Sequence, residues 1–233
     1  MLGLHPGDHA LVLPPHPDDE TLGPGGTIAA LSQHGVIVDV LAIACRAMPM
    51  YGGDSDPHAR TREFDAACTV LGVRNRVIAW IDTAAAHDPP AHVHELITLI
   101  ERGPGPSLAT TRPALMLVPS AESHHQDHLA VHHAAIAALR PGHREDRPLP
   151  RIVAGYDGPE DQAWRAHGAD RPLLIDTTSV ADIKVKAVHC YPSQLRPSPH
   201  PRNADAIAAL DAATGVVAGT TTAEKFALYR VVS

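Results

Sequence analysis

ALVLPPHPDDETLGPGGTIAALSQHGVIVDVLAIA, residues 10–44, decides the fold. A short apolar run (10–13) ends at two prolines, a polar turn rich in glycine follows, 27–34 read as a helix, and a second apolar run (36–44) starts after Gly35. Apolar runs without polar alternation, joined through a helix, are the pattern of parallel strands covered on both faces. It recurs: VIAWI (77–81), ALMLVP (114–119) and RIVAGY (151–156) read as strands, with helices expected over 58–71, 92–102 and 128–140. In 58–71, Phe64, Ala67, Cys68 and Leu71 fall at helical spacing, and Gly72 stands where a left-handed C-terminal cap belongs. About five such units are too few for a closed eightfold barrel. The expected fold is therefore α/β: a Rossmann-like open three-layer sandwich with a mostly parallel sheet of order 3-2-1-4-5.

Beyond residue 157 the pattern is less regular. PLLID (172–176) and FALYRVVS (226–233) are expected as added C-terminal strands, 180–190 as a helix, and LRPSPHPRNAD (195–205) as a proline-stiffened loop. No internal repeat or low-complexity linker is present. Gly and Pro at 103–106 and 141–150 mark loops, so residues 1–233 are expected to form a single domain.

Composition narrows the function. A hydrophobic fraction of 44% and a charged fraction of 19% are those of a globular chain with one core, and an aromatic fraction of 3% leaves Ala, Val, Leu and Ile to build it. The net charge of −7, with no Lys/Arg cluster, argues against a nucleic-acid partner. No apolar run approaches the ~20 residues of a membrane helix, and the first residues lack the basic start of a signal peptide. A cytoplasmic location without membrane contact is expected; homo-oligomerisation is compatible with the sequence. Cys45, Cys68 and Cys190 are odd in number and widely spaced, and they read as small core residues.

The 17 histidines carry information where they cluster. His16 to Glu20 follow strand 1 and SHHQDH (123–128) follows strand 4. In a sheet of order 3-2-1-4-5 these strands are neighbours at the point where strand order reverses, and sites form there, outside the carboxyl ends of the strands. Two imidazoles and a carboxylate are a catalytic zinc ligand set, and His16, Asp19 and His128 make up that count. Asp18, beside a ligand, is suited to take the proton of an attacking water. His125 is placed to donate to an oxyanion, with Asp127 holding its charge state. Asp127 is equally suited to cap the helix expected from 128. His132 shares a helix face with His128 and is an alternative ligand. GPGG (23–26) lacks the glycine spacing and the lysine of a phosphate cradle.

HPDDE (16–20) together with HQDH (125–128) resembles the signature of the LmbE-like, or PIG-L, de-N-acetylase family. The resemblance implies that His16, Asp19 and His128 bind Zn²⁺, that Asp18 is the base and that His125 steadies the oxyanion. RTRE (60–63) resembles the family's R-x-x-E helix, and Asp82 falls where a substrate-contacting aspartate is often found, so Arg60 and Asp82 are implied substrate-binding residues. KVKAVHCYPSQ (184–194) resembles a K-x-x-A helix closing in Ser-Gln, and AEKF (223–226) a final Glu-x-Phe; Lys184, Ser193 and Gln194 are read as structural. The chain departs from the family where a Gly-Glu pair often follows strand 2; Arg46, Met48 or Tyr51 would line the rim there.

The implied activity is zinc-dependent hydrolysis of an N-acyl, in particular acetyl, group on an amino sugar or glycosylated small molecule. An amidase for thiol-sugar conjugates or acylated antibiotic precursors would share the site. A non-catalytic metal-binding or ligand-sensing domain would need no base. The loops at 141–150 and 195–205 are candidate lids.

Overall fold

The computed structural model of the chain describes residues 1–50, 53–82, 87–141, 149–161 and 172–232. Tyr51, most of the 141–150 loop and Ser233 lie outside them. In chain order the elements are β1 (His9–Val12), α1 (Asp19–Leu22), α2 (Gly25–Gln33), β2 (Ile37–Arg46), the short β3 (Pro49–Met50) and β4 (Gly53–Asp54), α3 (Pro57–Leu71) and β5 (Asn75–Asp82). There follow α4 (Val93–Arg102), α5 (Leu108–Thr111), β6 (Leu115–Pro119), α6 (Gln126–Ala138), β7 (Ile152–Tyr156), β8 (Leu173–Asp176), α7 (Ala181–Val188), α8 (Ala204–Ala218) and β9 (Ala223–Val231).

A seven-stranded sheet runs β5-β2-β1-β6-β7-β9-β8. Its first five strands are parallel, in the expected order 3-2-1-4-5. The two added strands pair antiparallel at one edge. Neighbouring residues of each strand point to opposite faces, and both faces are apolar. Val12, Val40 and Leu117 pack with Ile28, Phe64, Leu71 and Tyr191 on the α2/α3/α7 side. Leu11, Ile43 and Met116 pack with Leu96, Ile100 and Val131 on the α4/α6 side. Cys45 and Cys68 are buried and all three cysteines are free. Among the described residues no helix is long and apolar enough to cross a membrane.

Two details differ from the pattern read in the sequence. The proline-rich segment ends at Asn203, whose side chain accepts from the amides of Asp205 and Ala206, and α8 follows directly. Its apolar residues do not form one stripe, and Val216 and Val217 are exposed, so periodicity does not announce it. Helix α6 starts two residues before the expected position, at Gln126, which moves Asp127 inside the first turn and makes His125 the N-cap.

A buried charge cluster braces the loop side of the sheet. The Lys184 ammonium is 2.7 Å from Glu224 Oε1 and 2.8 Å from Asp211 Oδ2, and it donates to the Gly23 carbonyl. Glu224 accepts from the amides of Gly26 (2.7 Å) and Thr27 (2.8 Å), so a β9 carboxylate meets the positive end of α2. Glycine is required at 26 because a Cβ there would lie 2.8 Å from Thr177 Cγ2.

Two carboxylates share one ammonium in this cluster. Burial first, then repulsion from Glu224, push the Asp211 pKa up to about 6 against the pull of Lys184. An unfolded Asp titrates near about 3.9. Between these values the native state binds more protons than the unfolded state, so this contribution is full at low pH and is lost as pH rises through about 6. The Asp211→Asn variant is expected to lack that decline in urea midpoint; an unchanged profile would reassign it.

Candidate active site

The first arm of the site is built by where β1 runs out of hydrogen bonds. Leu13 N still donates to Leu117 O (2.9 Å), and Pro14 and Pro15 accept from Ile43 and Ala44, but the prolines have no amide for β6. The chain leaves the sheet between β2 and β6 and turns at His16 to Asp19. Asp18 has φ 122°, a left-handed value unfavourable for a residue with a Cβ. Its carbonyl accepts from Thr21 (3.0 Å) and Leu22 (2.8 Å), starting α1. Glu20 braces the turn from behind, accepting from Asp18 N (3.1 Å), the Thr21 hydroxyl (2.6 Å) and the Tyr191 hydroxyl (2.7 Å). Burial pushes its pKa up to about 7.

Backbone strain at a functional side chain is a stability cost of roughly 1–3 kcal/mol. Asp18→Gly is therefore expected to be more stable than Asp18→Ala by about 1 kcal/mol or more, read by urea unfolding. Equal stabilities would show that the turn carries no strain.

The second arm is the start of α6. The His125 ring caps the helix: its Nδ1 accepts from Asp127 N at 3.1 Å, which leaves the proton of the neutral ring on Nε2. Burial, with the like-charged neighbours His16 and His128, lowers its pKa to about 4. Asp127, at the second helical position, is fully buried. The expected link from its carboxylate to His125 is replaced by another: Asp127 Oδ2 is 2.8 Å from His16 Nε2 and accepts from Arg46 Nη2. The physical reason is the early helix start, in which the backbone amide rather than the carboxylate of Asp127 serves His125.

The two arms meet. Asp19 Oδ2 lies 3.4 Å from His16 Nδ1 and 3.2 Å from His128 Nε2, and it accepts from His16 N at 3.0 Å. Donor atoms of His16, Asp19 and His128 all lie within 4.8 Å of one another, although 111 positions separate His16 from Asp127 on the second arm. His16, His125 and Asp127 form a second such group. Burial would raise the Asp19 pKa, but the His128 and His16 imidazoles outweigh it and hold the carboxyl well below its usual range. For His16, burial acts downward and is outweighed by Asp127 and Asp19, so its pKa is raised.

Two imidazoles and one carboxylate suit a divalent metal with room for a further ligand. A carboxylate on the far nitrogen of a ligating histidine is the usual orienting partner of such a ligand, and His16 has one in Asp127. The residues present therefore fit a zinc ion. His132 does not join the cluster: its Nδ1 is 2.9 Å from the Pro119 carbonyl, and neither candidate group includes it.

Beside this cluster a cleft of ≈ 230 Å³ is lined by His16, Asp18, Arg46, Arg60, His125 and Arg202, among others. Arg60 is buried on α3 and donates to Pro17 O (2.6 Å), with Asp18 Oδ1 at 3.3 Å. Its partner in the R-x-x-E motif, Glu63, turns away and accepts from Ser193 N (3.0 Å), which places Gln194 on the cleft wall. Asp82 is not on the lining; it ends β5, accepting from His87 N at 2.7 Å. Arg46 reaches Asp88 as well as Asp127. Arg202 has no counterpart among the residues singled out from the sequence: an arginine in a proline-rich segment carries no spacing signal.

A parallel sheet whose reversal point carries a two-histidine, one-carboxylate cluster and an acid beside it defines a Rossmann-like protein with a candidate metal centre. The chain belongs to the PIG-L family, described as GlcNAc-PI de-N-acetylase; the family model matches residues 11–139, from β1 to the end of α6. It is 30% identical over 197 residues to the probable N-acetyl-alpha-D-glucosaminyl L-malate deacetylase 2 of Bacillus cereus, covering 80% of this chain and 83% of that one. It is 27% identical over 198 residues to the diacetylchitobiose deacetylase of Thermococcus kodakarensis, covering 79% of this chain and 69% of the relative. Among solved structures, the conserved protein TT1542 of Thermus thermophilus superposes with a TM-score of 0.71 at 25% identity, over 96% of each chain. The 4-carboxy-2-hydroxymuconate hydratase of Pseudomonas putida shares the fold at a TM-score of 0.70 and 20% identity, over 97% of this chain and 98% of that one. Function must therefore be argued from the site.

Proposed function

We propose that this chain, acting as one domain over residues 1–233, is a zinc-dependent hydrolase that removes an N-acetyl group from an amino sugar or glycosylated small molecule. The observation that carries the reading is the meeting of His16, Asp19 and His128 beside Asp18 at the sheet's reversal point. Membership of a family whose relatives are named as deacetylases supports it, as does the presence of an acid that a binding module would not need. The three free cysteines agree with a cytoplasmic location.

A zinc ion would be held by His16, Asp19 and His128 and would supply Lewis acidity there, of the kind that polarises a carbonyl and makes water more acidic. Asp18 accepts the proton of the attacking water, as burial raises its pKa against the opposing pull of Arg60 and Arg202. It later returns that proton to the departing amine nitrogen. His125 donates from Nε2 to the oxygen that gains charge as the carbonyl becomes tetrahedral; its low pKa keeps it a neutral donor. Asp127, locked by Arg46, holds the His16 ring. Water adds to the acyl carbon, the C–N bond breaks, and acetate and the free amine leave.

The guanidinium groups of Arg46 and Arg60 on the cleft, each with an Nε that has no hydrogen-bond partner, favour a substrate that carries a carboxylate. Acetate release across N-acetylglucosamine, diacetylchitobiose and an N-acetylglucosaminyl malate is expected to rank the acidic conjugate first. Release from none of them by the zinc-loaded protein would favour the binding-domain reading, and preference for the neutral disaccharide would overturn the role given to the arginines.

A further inference from the structure

We propose that Arg202 is a positioning residue for Asp18: its guanidinium occupies one carboxylate oxygen and thereby leaves the other as the proton acceptor. The inference rests on the reading of Asp18 as the base.

Arg202 Nη1 donates to Asp18 Oδ2 at 3.1 Å across 184 positions of sequence. Arg60 Nη2 lies 3.3 Å from the other oxygen, Oδ1, but without hydrogen-bond geometry, and Oδ1 is buried with no hydrogen-bond partner. The two oxygens are thus unequal. One is held by a charge-assisted bond; the other is desolvated, close to a positive charge, and free to take a proton. A carboxylate on a strained turn needs such a second point of attachment, because its backbone alone leaves the side chain able to rotate.

Arg202 is itself held. Its Nε donates to Glu160 Oε1 at 2.7 Å, so Nε and Nη1 each meet a carboxylate. The loop that presents it is closed on itself: Arg196 N donates to Arg202 O (3.1 Å), Arg202 N to His200 Nδ1 (3.0 Å) and Asn203 Nδ2 to Arg196 O (3.2 Å). Prolines 197, 199 and 201 reduce what the loop loses on ordering. Arg202 also immediately precedes the Asn203 cap of α8. A cation at the positive end of a helix is locally unfavourable, and a local rule broken beside an active site marks a residue placed for another purpose.

The test uses the full chain loaded with zinc and the N-acetyl substrate giving most acetate. Arg202→Ala is expected to lower kcat by about 10- to 100-fold with KM within about threefold, and to keep its bound zinc by elemental analysis. Millimolar guanidinium is expected to restore part of the rate to Arg202→Ala. Arg202→Lys should recover little, since a compact ammonium on a shorter stem does not reproduce the fixed spacing of the guanidinium nitrogens that meet Asp18 and Glu160. Glu160→Gln should lose less than Arg202→Ala, with the same preserved KM. In thermal unfolding, the midpoint shifts of Arg202→Ala and Asp18→Ala are expected to be non-additive in the double variant.

An unchanged kcat in Arg202→Ala, a change confined to KM, or additive midpoint shifts would each overturn the proposal. If Asp18→Asn turns over normally, the base assignment fails and this inference with it. If Asp18→Asn is inactive while Arg202→Ala is fully active, this inference alone fails.

Discussion

Asp18→Asn is expected to keep its zinc and lose about 10² to 10⁴ in kcat, the usual worth of a positioned acid–base group. The substitution separates chemistry from structure. Asparagine is nearly isosteric and tolerates positive φ better than most residues, so the turn at φ 122° should persist. An amide oxygen can still accept from Arg202 where Asp18 Oδ2 does. What is lost is an atom basic enough to take a proton from water and return it to the amine. Glu160 remains to neutralise Arg202, and the Pro17 carbonyl remains for Arg60, so the variant should fold. The check is turnover alongside elemental analysis: full zinc with turnover within about threefold of the parent would remove Asp18 from the reaction.

His128→Ala is expected to lose both the metal and all measurable hydrolysis. Two ligands do not hold zinc against dialysis as three do, and His128 Nε2 is one of the two ring nitrogens facing Asp19 Oδ2. Removing it leaves only His16 and Asp19 of that donor group. Zinc content after dialysis, near one per chain for the parent under the reading above, should fall towards zero. A variant that stays loaded would shift the ligand role to His125, which shares the second donor group with His16 and Asp127. His132 is not suited to that role, since among the described residues it joins neither group of converging donor atoms.

The strand order and the two charged clusters were legible because their signals are local. Continuous runs such as 36–44 and 114–119 state a buried parallel strand without help from the rest of the chain, and two dense His/Asp segments after strands 1 and 4 become neighbours once the order is known. What could not be read depends on orientation. That Asp127 faces His16 and not His125 follows from a two-residue difference in where α6 begins, within the uncertainty of any boundary argument. Arg202 came from a segment legible only as a stiff loop, and α8 from an alanine-rich stretch with no apolar stripe. The R-x-x-E motif split: Arg60 reaches the cleft while Glu63 supports the Ser193 turn. Asp82 sits at the strand end without joining the lining.

Glu224 ties the head of α2 to the last strand of the chain. The amides at the head of α2 meet an acceptor that is synthesised 198 residues later, and among the described residues β8 pairs only with β9. The helix that follows the histidine-aspartate turn thus gains this support only when nearly the whole chain has been made. Under the proposed function, a zinc ion would meet the completed site only late in synthesis.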